Sequence, residues 1–100
     1  MKVPKKLKIG PYTYPVITGG DPRSERNDTL WGRVNYYPAS IEVGAKAQQA
    51  GESRVLATVL HESIHAIDEY MRIGLSEKQT TRLANGLTAF LLDNHLLKED

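Results

Sequence analysis

From Glu52 onward the chain contains no proline, whereas the stretch before it holds six of the eight glycines, the single tryptophan and four of the five tyrosines. Proline is barred from helix interiors because it lacks an amide donor and its ring collides with the preceding turn. Tyrosine and tryptophan suit a pleated, half-buried surface, and glycine marks turns. Residues 1–50 are therefore read as β-rich and residues 52–94 as helical, with no linker between them. A chain of 100 residues supports one hydrophobic core and not two. The two parts are thus expected to form one α+β domain over residues 1–100, a small twisted antiparallel or mixed sheet packed on an antiparallel helix pair.

In the front part, Leu7 and Ile9, then Tyr12, Tyr14 and Val16, alternate with polar neighbours about Gly10-Pro11, which predicts a hairpin. Trp31–Tyr37 and Ser40–Val43 are read as a second pair of short strands about Tyr37-Pro38-Ala39. Gly19 to Thr29 offers no apolar side chain and is expected to be a mobile surface loop, anchored on the sheet by Trp31. In the back part, Leu56, Leu60, Ile64, Ile67 and Met71 share one stripe at 100° per residue, predicting an amphipathic helix that ends near Gly74. Ser76 and Gln79 form a capping-box pattern that opens a second helix, with Leu83, Leu87, Phe90 and Leu91 as its expected buried stripe.

Thirteen Lys and Arg against twelve Asp and Glu leave a net charge of +1, so no global field points to nucleic acid or an anionic membrane. The lysines at 2, 5, 6 and 8 read as a solvated tail. With no cysteine, disulfides, thiolate metal sites and thiol catalysis are excluded. No apolar run approaches the length of a membrane span, and the first residues lack the apolar stretch of a signal peptide. The expectation is a soluble, cytoplasmic protein.

His61-Glu62-Ser63-Ile64-His65 is an HExxH sequence, and it falls inside the first predicted helix. An i, i+4 spacing sets two imidazoles one turn apart on one face, where both reach one zinc ion. Glu62, next to them, is placed to hold and deprotonate a water at that ion as general base, then to act as proton donor. On the helical wheel both histidines lie beyond the edge of the leucine stripe and so face a cleft. What the spacing itself carries is metal-assisted hydrolysis.

The segment Ala57 to Asn94, with Leu60-His61-Glu62-Ser63-Ile64-His65-Ala66-Ile67-Asp68, then Gly74-Leu75-Ser76-Glu77 and Arg82-Leu83-Ala84-Asn85-Gly86-Leu87, resembles the small phage-type and ImmA/IrrE-like HExxH zinc metallopeptidases, minimal gluzincins. That resemblance implies a zincin-like fold and a zinc-dependent metallopeptidase that hydrolyses peptide bonds through a metal-activated water, with a peptide or protein substrate. It also implies a sheet whose edge strand, at Ser40 to Val43, lies above the metal and binds extended peptide. Gluzincins take a third ligand from a glutamate on the following helix, often with an Asp or Asn one turn later that steadies a ligand histidine. Folding the helices tightly about Gly74-Leu75 sets residues 81–85 opposite His65, which makes Asn85 that steadying residue and puts Thr81 where the glutamate belongs. Glu77 then lies roughly 10 Å away along the axis at 1.5 Å per residue. The third ligand is left open among Asp68, Glu77, His95 and water. A hydroxyl at Thr81 supports the alternative of a degenerate metallopeptidase fold that binds a peptide or protein without cleaving it. A structural domain whose histidines bind nothing is the remaining reading. Tyr36 and Tyr37 are candidate oxyanion donors, with half-buried sheet packing as the competing use.

Overall fold

In a computed structural model, which describes residues 3–22 and 31–97, the alternation about Gly10-Pro11 builds the hairpin it predicts. Strands β1 (Lys6–Ile9) and β2 (Tyr12–Gly20) pair antiparallel, with Leu7 opposite Tyr14. Beyond Pro15, β2 changes partner and runs parallel to β4 (Ala39–Gly44), Val16 facing Ile41 and Thr18 facing Val43. Strand β3 (Gly32–Tyr36) pairs antiparallel with β4, Val34 opposite Ile41. The result is a mixed sheet of order β1-β2-β4-β3. Of the segment read as a loop, Gly19 and Gly20 close β2, and residues 23–29 lie outside the described residues, as does Lys2 of the basic start.

This order corrects one expectation. Ser40–Val43 belongs to β4, which is hydrogen-bonded on both sides, and among the described residues the edge strand next to it is β3, with β1 at the opposite edge. Ile41 and Val43 are completely buried, as a central strand requires. A short helix α1 (Ala45–Ala50) follows directly, where no helix was expected. Its six residues are good helix formers, and Ala47 seals into the core.

Helix α2 (Glu52–Met71) lies on the sheet through Val55 and Val59, packed with Val43 and Ala47, and through Ala66, packed with Tyr14 and Ile41. Leu56 and Ile64 of the expected stripe are buried, but Ile67 and Met71 stay exposed. The line that meets the sheet carries shorter side chains than the leucine stripe, which lets the helix axis come close. Helix α3 (Glu77–Asp93) starts at the expected cap: Ser76 Oγ accepts from the Gln79 amide at 3.1 Å, and Gln79 Oε1 accepts from the Ser76 amide at 2.9 Å. It packs chiefly on α2.

The buried face of α3 is not the expected one. Thr80, Ala84 and Thr88 are buried, whereas Leu83 and Phe90 are 47% and 55% exposed. At 100° per residue the two faces differ by about a quarter turn. The threonine hydroxyls donate to Ser76 and Ala84 carbonyls one turn back, so burying them leaves no orphan donor. The small-residue face allows close approach to α2, and Glu77 lies on that same side of the helix.

Candidate metal centre

The centre depends first on the link between α2 and α3. Arg72 caps α2 in the left-handed region (φ 54°), Gly74 follows at φ 86°, and α3 begins only at Glu77. Positive φ suits glycine, which has no Cβ to clash. Asp68 pins this link: its two carboxylate oxygens accept from the Gly74 amide at 2.6 Å and the Leu75 amide at 3.0 Å. Five non-helical residues, each advancing up to about 3.3 Å, carry the chain back beside α2 before α3 starts. A tight hairpin would have placed Glu77 near the end of α2. Instead its carboxylate meets both motif histidines, Oε1 at 2.7 Å from His61 Nε2 and Oε2 at 3.0 Å from His65 Nε2.

The expected 10 Å separation of Glu77 is thus corrected, and with it the idea that Thr81 occupies the third-ligand position. Thr81 lies one turn further along α3 and Asn85 two turns, both on the wall of the adjoining cleft. The steadying role given to Asn85 followed from the tight-turn register; in the observed register Thr81 is the residue one turn beyond the carboxylate. Asp68 is engaged with the link amides. His95 lies just past the end of α3, about 27 Å from Glu77 at 1.5 Å per residue. Among the described residues, His61, His65 and Glu77 form the one group of metal-ligating side chains, with one ligand atom from each lying within 4.8 Å of the others.

This donor set fits a cation. The Nε2 atoms of His61 and His65 are 3.1 Å apart and face each other as well as the carboxylate. If both rings carry their proton on Nδ1, two lone pairs and two carboxylate oxygens converge on one point and repel unless a positive charge lies among them. Zinc at about 2.0–2.2 Å from nitrogen and oxygen ligands wants donors about 3.3 Å apart in a tetrahedron, close to the spacing found, and two histidines with one glutamate leave a position open.

Glu62 is 8% exposed, enclosed between α2 and β3. Burial, and then the nearby Glu77 charge, push its carboxyl up to about 7, near where a general base is most useful. His61 is lowered by burial, with Glu77 opposing and His65 adding to the shift. A bound dication would favour the ionised carboxylate and the neutral imidazole. The close passage of β3 over Glu62 depends on Gly32: a Cβ there would lie 2.4 Å from Thr58 Cγ2 and 2.8 Å from the Glu42 carbonyl.

The centre opens into two connected hollows. One is lined by Gly32, Arg33 and Val34 of β3 together with His61, Glu62, His65 and Glu77. The other, about 310 Å³, runs toward the start of α2 and includes Trp31, Arg54, Thr58, Thr81 and Asn85. Sequence reasoning gave Arg54 no role, although it precedes His61 by seven residues and so shares its helix face. Tyr36 packs on the Tyr14-Ile41-Ala66 core, and its hydroxyl donates to the His65 carbonyl at 3.3 Å. Burial, then Glu69 and other negative neighbours, push that hydroxyl up to about 12, so it stays a donor. Tyr37 is 94% exposed and lines a separate tyrosine-rich hollow with Tyr12, Tyr14 and Tyr70. Among the described residues no helix is long and apolar enough to cross a membrane. Comparison with family models, curated proteins and solved structures found no match to this chain.

Proposed function

We propose that the protein is a zinc-dependent metallopeptidase of zincin-like, gluzincin type. The observation that carries this reading is the convergence of His61, His65 and Glu77 on one point, with Glu62 buried beside it and the edge strand β3 alongside. The three side chains would hold the ion, which when bound would supply a Lewis acid for the attacking water and the scissile carbonyl. Glu62 takes a proton from that water and passes it to the departing amine, which leaves the carboxyl product and a neutral amine. Gly32 lets β3 lie close enough to leave Glu62 little bulk water, and the outer edge of β3, which pairs with no strand among the described residues, offers backbone groups to an extended peptide. A cytoplasmic location and a peptide or protein partner belong to the same proposal.

Metal analysis of the purified protein, joined to a peptide-library digest, tests it. Zinc at one equivalent is expected, with cleavage that Glu62→Gln removes while zinc affinity stays within about threefold, because Glu62 is a base and not a ligand. Cleavage that persists in Glu62→Gln would sink the mechanism. The reading of a module that binds without cutting rested on Thr81; with Glu77 beside both histidines it becomes the outcome in which zinc is bound and no peptide is cut.

A further inference from the structure

The hollow leading from the metal centre toward the start of α2 ends in a cluster that peptide hydrolysis does not by itself require. Arg54 lines it, and the Arg54 guanidinium carbon lies 5.0 Å from the centre of the Trp31 ring, which also has Lys46 Nζ at 4.6 Å. Stacking on an indole holds a guanidinium in place through cation–π attraction while leaving its N–H edge free to bind. Among the described residues no carboxylate forms an ion pair with Arg54; Glu62 and Glu77, on the same wall, belong to the metal centre. Thr81 and Asn85 add a hydroxyl and an amide to this end of the hollow.

We infer that the Trp31–Arg54 end of the cleft is a carboxylate-binding subsite, so that the preferred substrate presents an acidic side chain or its terminal carboxylate close to the cleaved bond. This rests on the peptidase reading of the adjoining centre. Arg54 precedes His61 by two helical turns, about 10 Å, and an extended peptide advances about 3.3 Å per residue. The carboxylate therefore belongs one to three residues from the scissile bond. A planar guanidinium matches a carboxylate with two parallel hydrogen bonds, and the Trp31 stack means that little side-chain freedom is lost on binding. Lys46 strengthens the positive potential around the same ring.

The test uses the zinc-loaded full chain, with its single tryptophan as reporter. Peptides that differ only in Glu or Gln at each of the three positions, and each as free acid or C-terminal amide, are titrated against Trp31 emission and digested in parallel. One Glu peptide, or the free acid over the amide, is expected to bind about tenfold more tightly and to have a proportionately lower KM, the size of a charge-assisted hydrogen-bond pair. Which pair differs tells a side-chain acid from a chain terminus. Arg54→Leu should abolish the preference, Arg54→Lys should keep part of it, and Arg54→Glu should shift it toward a Lys peptide. Equal binding of all pairs, or a preference that survives in Arg54→Leu, would overturn the subsite. Zinc affinity, read separately with a chelating dye, keeps the two proposals apart. A protein that prefers the acidic peptide without cutting it loses the peptidase and keeps the subsite. One that cuts Glu and Gln peptides alike keeps the peptidase and loses the subsite.

Discussion

Glu77 touches both histidines although its side chain is 70% exposed, so its position reflects where its helix begins more than any enclosure. Removing a group that only supports a zinc ligand commonly costs 10–100-fold in affinity, and removing a ligand should cost more. His61→Ala, His65→Ala and Glu77→Ala are each expected to weaken zinc by more than about 100-fold in a competition titration. Thr81→Glu should leave zinc affinity essentially unchanged, since the third position already has its carboxylate. A clear gain in Thr81→Glu would restore the tight-turn register and displace Glu77. Both motif histidines and Glu62 were legible because their relation is set within one helical turn, where backbone geometry alone brings them together. Glu77 was legible only as one of the open candidates with Asp68, His95 and water, because its place depends on five link residues and on two hydrogen bonds to Asp68 that no periodicity reveals.

The α2–α3 link and the inner face of α3 behave as separable parts. Asp68→Ala leaves two amides of the link without their anionic acceptor, at a cost of about 1–3 kcal/mol by analogy with other charge-assisted hydrogen bonds. It should lower zinc affinity as well, because Glu77 is then less firmly held. Denaturant unfolding and zinc titration of the same variant check both; weakened stability with undiminished zinc affinity would detach Asp68 from the centre. On α3, Leu83→Lys is expected to change stability by less than about 0.5 kcal/mol, as exposed substitutions do. Ala84→Leu forces volume into a face that is fully packed and should cost about 1–3 kcal/mol. The strands were legible from alternation, and the start of α3 from Ser76 and Gln79. Of the expected α2 stripe Leu56 and Ile64 are buried, but the line of α2 that meets the sheet and the inner face of α3 were not legible, because hydrophobicity ranks leucine and phenylalanine above the valine, alanine and threonine that close packing selects. The parallel pairing of β2 with β4 joins residues distant in sequence, such as Val16 and Ile41, and local pattern carries no record of it.

Taken whole, the molecule is a sheet, the helices α1 and α2 packed on it, and an outer helix α3 held chiefly by α2. A cation shared by His61, His65 and Glu77 would fasten the outermost layer to the middle one. Zinc at 100 times its dissociation constant should add about 2.7 kcal/mol to stability, which for a domain of this size is roughly 10–20 °C in Tm. Chelator should remove that increment, and amide exchange in α3 should quicken more than in β2 or β4. Equal protection of α3 with and without zinc would argue against a bound ion. His61 and Glu77 are also near neighbours in sequence, sixteen positions apart, so their encounter needs only the closure of a short loop between two helices. Val16 and Ile41 must close a longer one and then align in parallel, the slower kind of event in a folding chain. This favours an order of assembly in which the chemical centre forms early within a helical hairpin and the sheet comes later to wall it in.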